Sequence, residues 1–235
     1  MKYRNLVVLG TSHIAKQSLD EVKNSIEQEK PDIIAIELDK KRLPILMSNA
    51  PRKVQLGAIR QIGFKGFIFS LFGAWAEKRL GKLVGVSPGS EMKQAVNIAK
   101  KNNIKIALID QDIEITLNRL SKTLTWKEKW NFIADIFKAI FTKGEKIEFD
   151  LRTVPEKKII KKLTTQLKER YPNVYKVLIE ERNKVIANNL KNIMDSNQDK
   201  KILAILGAGH VEDVVELIKG SEGVNLSYSY TFKNQ

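Results

Sequence analysis

The chain has 235 residues, 43% of them hydrophobic, and a net charge of +14, so it can bury one substantial core and is neither disordered nor fibrous. It has no cysteine, which excludes disulfides and thiolate metal sites and fits a reducing, cytoplasmic setting. No run approaches the ~20 apolar residues of a membrane span, the first apolar run is too short for a signal peptide, and the scattered lysines accompany no zinc-finger or aromatic RNP pattern, so the charge reads as a solvated surface rather than a specific nucleic-acid site.

Residues 4–9 read as a buried strand that runs into Leu9-Gly10-Thr11-Ser12-His13. A helix follows, with Ser18 and Glu21 in capping-box spacing, Leu19, Val22 and Ile26 on one face, and Pro31 as its stop. Residues 33–38 form a second buried strand, which completes a βαβ unit with parallel strands. The next stretch changes character: residues 62–76 are aromatic, punctuated by Gly63, Gly66 and Gly73 and flanked by basic residues. Such a segment can cover the sheet as a helical hairpin, line a substrate groove, or lie on a membrane surface; the expectation here is a helical segment that borders the site.

Ser87-Pro88-Gly89-Ser90 starts a helix over 91–101, and residues 104–110 form a third strand ending in Asp110 and Asp112, with Thr116 and Arg119 beyond. Residues 121–150, with Trp126 and Trp130, read as helical. A basic helix runs from Pro155 to Arg170, Tyr171-Pro172 breaks it, and a long helix covers 173–194. Asn197-Gln198-Asp199 turns into the last unit: strand 201–206, helix 211–219, exit glycines Gly220 and Gly223, and strand 224–230. The predicted fold is α/β, a single domain over 1–235 with βαβ-like units at both ends and mainly helical insertions over 40–86 and 121–195.

The last strand also ends in a corner, Leu206-Gly207-Ala208-Gly209-His210, which repeats the first. The chain has only two histidines, His13 and His210, and each closes a Gly-x-x-His. The repeat suggests an internal duplication with pseudo-twofold symmetry. Sites in parallel α/β sheets form beyond the carboxyl ends of the strands, where both histidines lie, together with Glu37 and Asp39 after the second strand and Asp110 and Asp112 after the third. Two histidines and a carboxylate converging there suit a divalent metal with open positions, which can acidify a water for hydrolysis. Blander readings stand beside this one: a structural histidine in each corner, a local Asp39–Arg42 pair, Glu91 placed at a positive helix end, and Glu181-Arg182-Asn183 within a surface salt-bridge ladder. Leu178, Val185 and Ile186 lie three or four positions from Arg182, which predicts an arginine directed at an apolar flank and therefore held by carboxylates, with Glu37, Glu91, Asp110 and Asp112 as candidates.

The stretches Gly10-Thr11-Ser12-His13, Ile36-Glu37-Leu38-Asp39-Lys40-Lys41-Arg42, Pro88-Gly89-Ser90-Glu91-Met92, Leu108-Ile109-Asp110-Gln111-Asp112-Ile113, Thr116-Leu117-Asn118-Arg119, Glu181-Arg182-Asn183 and Gly207-Ala208-Gly209-His210 together resemble the TraB/PrgY pheromone-shutdown family, in the wider group of Tiki metalloproteases and GumN-like proteins. The resemblance implies an α/β fold whose central site is built from the two Gly-x-x-His motifs and the acidic residue after the first. By motif, His13, His210 and Glu37 are the metal positions, with manganese, cobalt or zinc as the ion. Glu37, Arg182 and Asn183 are the catalytic ones, and Asp39, Arg42, Glu91, Asp110, Asp112, Arg119 and Glu181 support substrate or site. The implied activity is a metal-dependent peptidase; the rival is a non-catalytic protein that binds a peptide or a membrane partner. Expected partners are a peptide, a peripheral membrane contact and a second copy of the chain. The sequence departs from the family pattern at Gln111, where arginine is usual, and at Asn183, where aspartate is frequent.

Overall fold

The structure is a computed structural model that describes residues 1–11, 16–48, 89–141 and 157–221. Among the described residues, five strands form one sheet in the order β1-β2-β5-β3-β4, where β1 is Lys2–Tyr3, β2 Leu6–Thr11, β3 Ile33–Ile36, β4 Lys105–Leu108 and β5 Ile202–Gly207. All neighbours are parallel except β1, which pairs antiparallel with β2 across a turn containing Arg4 at φ 51°. Sequence reasoning missed this edge strand because Lys2 and Tyr3 are too few to show a period. The expected strand over 224–230 and the aromatic segment over 62–76 lie outside the described residues.

The first βαβ unit is parallel, as expected, but its strands are not neighbours. β5 lies between them and pairs with β2 from Leu6↔Ile202 to Thr11↔Gly207 and with β3 from Ile33↔Ile202 to Ile36↔Ile205. The central strand is thus the last in sequence of the described strands, buried along its whole length, as a strand covered on both faces must be. Alternate residues serve the two layers. Leu6, Val8, Ala204 and Leu206 meet Ile186 and Leu190 of α8 (Arg182–Ser196) and Val214, Val215 and Ile218 of α9 (Val211–Gly220). Leu203, Ile205, Ile34 and Ile36 meet Val22 and Ile26 of α1 (Lys16–Glu29) and Met92, Ala95 and Val96 of α3 (Ser90–Lys101).

The helices that follow β2 and β5 therefore cover opposite faces of the sheet. Adjacent parallel strands whose helices leave on opposite faces open a crevice at their carboxyl ends, and Gly10-Thr11 and the Gly207–His210 corner flank it. Two local expectations need correction. Ser18 does not cap α1; the helix already includes Lys16, and Ser18 is fully buried within its first described turn. Strand β3 ends at Ile36, two residues short of the expected 33–38, and the chain turns at Asp39. Its Oδ1 accepts from the Lys41 and Arg42 amides at 2.7 and 2.9 Å and caps the turn into α2 (Arg42–Met47).

The remaining described helices are α4 (Ile113–Thr123), α5 (Trp126–Phe141), α6 (Lys157–Arg170) and α7 (Pro172–Tyr175), which continues through a π-helical stretch, Lys176–Glu181, into α8. The predicted long helix is thus interrupted by wider turns that end immediately before Arg182, as π segments often do beside functional residues.

Candidate functional site

Glu37 leaves the end of β3 and turns into the protein, 4% exposed. Its Oε2 accepts from the Gly207 amide at 2.6 Å, and its Oε1 accepts from Arg182 Nη2 at 2.5 Å. The glutamate of the first unit thus bonds to the first glycine of the second corner. The corners also touch directly. Thr11 donates through Oγ1 to the Leu206 carbonyl at 3.2 Å, and the Ala208 amide donates to the Thr11 carbonyl at 2.8 Å. A Cβ at Gly10 would stand 3.0 Å from Val211 Cγ2 and 3.4 Å from Ala208 Cα, a spacing that favours glycine there.

Arg182, its side chain 15% exposed, is held among carboxylates, as expected of an arginine directed at an apolar flank. Nε donates to Asp110 Oδ1 at 3.0 Å, Nη2 to Asp110 Oδ2 at 2.7 Å, and Nη1 to the Leu178 carbonyl at 3.1 Å. Burial alone would lower its pKa. The hydrogen bonds and charges of Asp110 and Glu37 outweigh that and raise it, so the guanidinium is a fixed cation. Asp110 Oδ1 also accepts from the Gln111 amide at 2.7 Å, and Oδ2 takes a further bond from Arg42 Nη2. Arg42 Nε reaches Asp39 Oδ2 at 2.5 Å. The local Asp39–Arg42 pair therefore exists, but it is joined through Asp110 to the central arginine.

His210, 6% exposed, heads α9. Its Nδ1 lies 2.5 Å from Asn183 Oδ1, and Asn183 Nδ2 donates to Asp213 Oδ2 at 3.0 Å. Because Asp213 takes the amide's donor end, Asn183 presents an acceptor to the ring, and Nδ1 must carry the proton. The other nitrogen, Nε2, is 3.5 Å from both Glu37 Oε1 and Arg182 Nη1. Sequence reasoning missed Asp213; its place three residues after His210, in the first turn of α9, was the available signal.

The remaining predicted residues divide. Glu91 is 1% exposed in the first turn of α3, at the same edge of the sheet. Asp112 caps α4, accepting from the Glu114 amide at 2.8 Å, and pairs with Lys41 at 3.1 Å. The Glu114 amide first, then Lys41, hold its carboxyl below the ordinary carboxylate range. It does not contact Arg182 among the described hydrogen bonds. Arg119 and Glu181 grip one another at 3.1 and 2.6 Å, tying α4 to the π turn; for Glu181 the salt-bridge reading holds. His13 lies outside the described residues, although its strand ends where Thr11 pairs with Gly207.

Among the described residues, no group of three His, Cys, Asp or Glu side chains stands ready to hold a metal ion. Two donors nonetheless suit one. Glu37 Oε1 and His210 Nε2 are at a separation that neighbouring ligands of a single cation adopt, and the Nδ1 contact to Asn183 is the outer support that a ligating histidine needs. Around them, three carboxylates (Glu37, Asp39 and Asp110) face two guanidinium groups, so the cluster carries surplus negative charge.

A model of the TraB/PrgY/gumN family matches residues 2–220. An uncharacterized protein of Methanocaldococcus jannaschii is 36% identical over 223 residues, covering 94% of this chain and 55% of that one. The TraB domain-containing proteins of human and mouse are 21% and 20% identical over 231 residues, covering 88% of this chain and 61% of each of them. The chain thus spans a little over half the length of the relatives it matches. It belongs to the TraB/PrgY/gumN family.

Proposed function

We propose that this family member is a metal-dependent hydrolase that cleaves peptides at the crevice between the two Gly-x-x-His corners. The observation that carries the reading is the group Glu37–Arg182–His210, buried at the carboxyl ends of β3 and β5 with surplus negative charge around it. His210 and Glu37, with His13, would hold manganese, cobalt or zinc. A bound divalent ion supplies an acidified water at neutral pH.

The chain's own residues have separable tasks. Asn183 and Asp213 keep the proton on His210 Nδ1 and so keep Nε2 basic. Arg182 is anchored by Asp110 and the Leu178 carbonyl independently of Glu37. If Glu37 Oε1 moves off to serve either as a metal ligand or as the base that takes the water proton, the N–H it leaves on Arg182 stays in place and can meet a scissile carbonyl, where a fixed cation stabilises the oxyanion.

The test is a mass-spectrometric digest of a mixed peptide library with manganese, cobalt or zinc, beside a chelated control and the His13→Ala/His210→Ala double variant. Cleavage is expected to fall by about 10²–10⁴-fold in Glu37→Gln, which keeps the volume and loses the base. No metal-dependent cleavage by the wild type, or cleavage that survives both controls, removes the reading. A non-catalytic peptide- or membrane-partner-binding role is the second reading. It is favoured by the Arg182 guanidinium, which already supplies a cation between Glu37 and His210.

A further inference from the structure

Helix α5 turns a carboxylate towards the protein. Glu128, 2% exposed, accepts from the Thr125 amide and hydroxyl at 3.0 and 2.9 Å and from the Asn173 amide and Nδ2 at 2.7 and 3.0 Å. One and two turns on, Asn131 donates to the Arg170 carbonyl at 3.2 Å, and Asp135 accepts from Arg170 Nε at 2.7 Å and from the Tyr171 hydroxyl at 2.5 Å. These bonds fix the helix's rotation. They send Trp126, Trp130 and Ile133, at i, i+4 and i+7, to the outside at 71%, 65% and 42% exposure. Lys127 and Lys129 flank the stripe, and Lys129 Nζ sits 4.7 Å from the centre of the Trp126 ring.

An aromatic stripe that folding leaves outside, while four inward hydrogen bonds hold a carboxylate on the opposite face, is an interaction surface rather than a misplaced core. Its composition selects the partner. Paired tryptophans with an aliphatic neighbour and flanking lysines suit the headgroup level of a bilayer, where indole is favoured and lysine meets anionic phosphate. Ile133 has no counterpart in base stacking. A second copy of a chain at +14 would bring like charges together. Among the described residues, no helix is long and apolar enough to cross a membrane, so contact through α5 lies in the plane of the interface. We propose that the exposed face of α5 docks the protein on anionic lipid bilayers.

The experiment is flotation of the full chain with vesicles of phosphatidylcholine alone and of a phosphatidylcholine–phosphatidylglycerol mixture, read together with tryptophan emission. The wild type is expected to float with the mixture and not with phosphatidylcholine, with a blue shift on binding. Trp126→Ser/Trp130→Ser should weaken binding at least about tenfold. Lys127→Glu/Lys129→Glu, checked for folding by circular dichroism, should weaken it while keeping both tryptophans in the sequence. The proposal is overturned if the wild type ignores anionic vesicles. It is also overturned if the serine variant, folded by circular dichroism, binds as the wild type does, or if the stripe is required only for dimerisation in sedimentation or for oligothymidine binding.

Discussion

Replacing Arg182 by Met keeps most of the side chain's volume and removes its charge. Four contacts go with it: two to Asp110, one to Glu37 and one to the Leu178 carbonyl. Removing one partner of a buried ion pair costs about 3–5 kcal/mol, because the charge left behind is buried and unpaired. Here the lower end applies. Asp110 keeps Arg42 and the Gln111 amide, and Glu37 keeps the Gly207 amide. A loss of about 3 kcal/mol is a large part of the ~5–15 kcal/mol that holds a domain folded. At about 2–4 °C per kcal/mol for a chain of this size, the melting temperature should fall by about 6–12 °C. The deficit should shrink on acidification from neutrality towards about pH 4–5. The variant's folded state then holds a proton on Glu37, left with the Gly207 amide and without its counter-ion, that the unfolded chain does not, so its stability declines again as pH rises. Arg182→Lys should fall between the two, retaining charge without the planar fork. Thermal melts of the three proteins across this pH range test the argument. An Arg182→Met melting temperature equal to wild type, or a deficit that does not change with pH, would refute the ion-pair account.

Two further expectations follow from contacts away from Arg182. Burial pushes the Glu128 carboxyl up, but the hydrogen bonds from Thr125 and Asn173 outweigh it and hold its pKa below the ordinary glutamate range. Its contribution is therefore complete above about pH 4.3 and is lost as pH falls through the depressed folded value; Glu128→Gln should cost about 1–3 kcal/mol in a urea melt at pH 7 and much less in strong acid. Asp213→Leu should leave the fold near wild type but free the Asn183 amide to rotate, so that nitrogen NMR finds the His210 proton shared between Nδ1 and Nε2. Asp213→Asn, which keeps an acceptor for Asn183 Nδ2, should restore the single tautomer, and unchanged imidazole shifts in Asp213→Leu would show that Asp213 does not position the ring.

Much of the fold was legible because strands buried on both faces leave an unambiguous trace. Ile33-Ile34-Ala35-Ile36 and Ile202-Leu203-Ala204-Ile205-Leu206 can hardly be anything else in a chain that alternates strand and helix. What the pattern could not give was strand order. Nothing local in residues 202–207 states that they insert between β2 and β3, since that follows from which face each helix covers. The same limit applied to the site. The apolar neighbours of Arg182 announced burial, and the need for a carboxylate partner followed, yet sequence alone could not choose among Glu37, Glu91, Asp110 and Asp112. The structure chooses Glu37 and Asp110 and gives Asp112 to a helix cap. Trp126 and Trp130 illustrate the reverse. An aromatic stripe is ordinarily core, and only the hydrogen bonds of Glu128, Asn131 and Asp135 show that the stripe faces out.

Asparagine rather than aspartate at 183 has a physical reading in this cluster. A carboxylate at 183 would stand beside Asp213 at about hydrogen-bond distance and add a negative charge to a neighbourhood that already holds more carboxylates than guanidinium groups. It would also favour the doubly protonated imidazole at His210, converting Nε2 from an acceptor into a donor. Asparagine avoids both effects. It accepts from Nδ1 as a carboxylate would, but it needs Asp213 to hold its amide the right way round, because an amide can turn and a carboxylate has no wrong face. The neutral residue at 183 and the acid at 213 are therefore one device, and its product is a His210 whose Nδ1 carries a proton and whose Nε2 faces Glu37 and Arg182. A site that used His210 only as a structural plug would gain nothing from fixing that tautomer. One that uses Nε2 to hold a cation or take a proton depends on it.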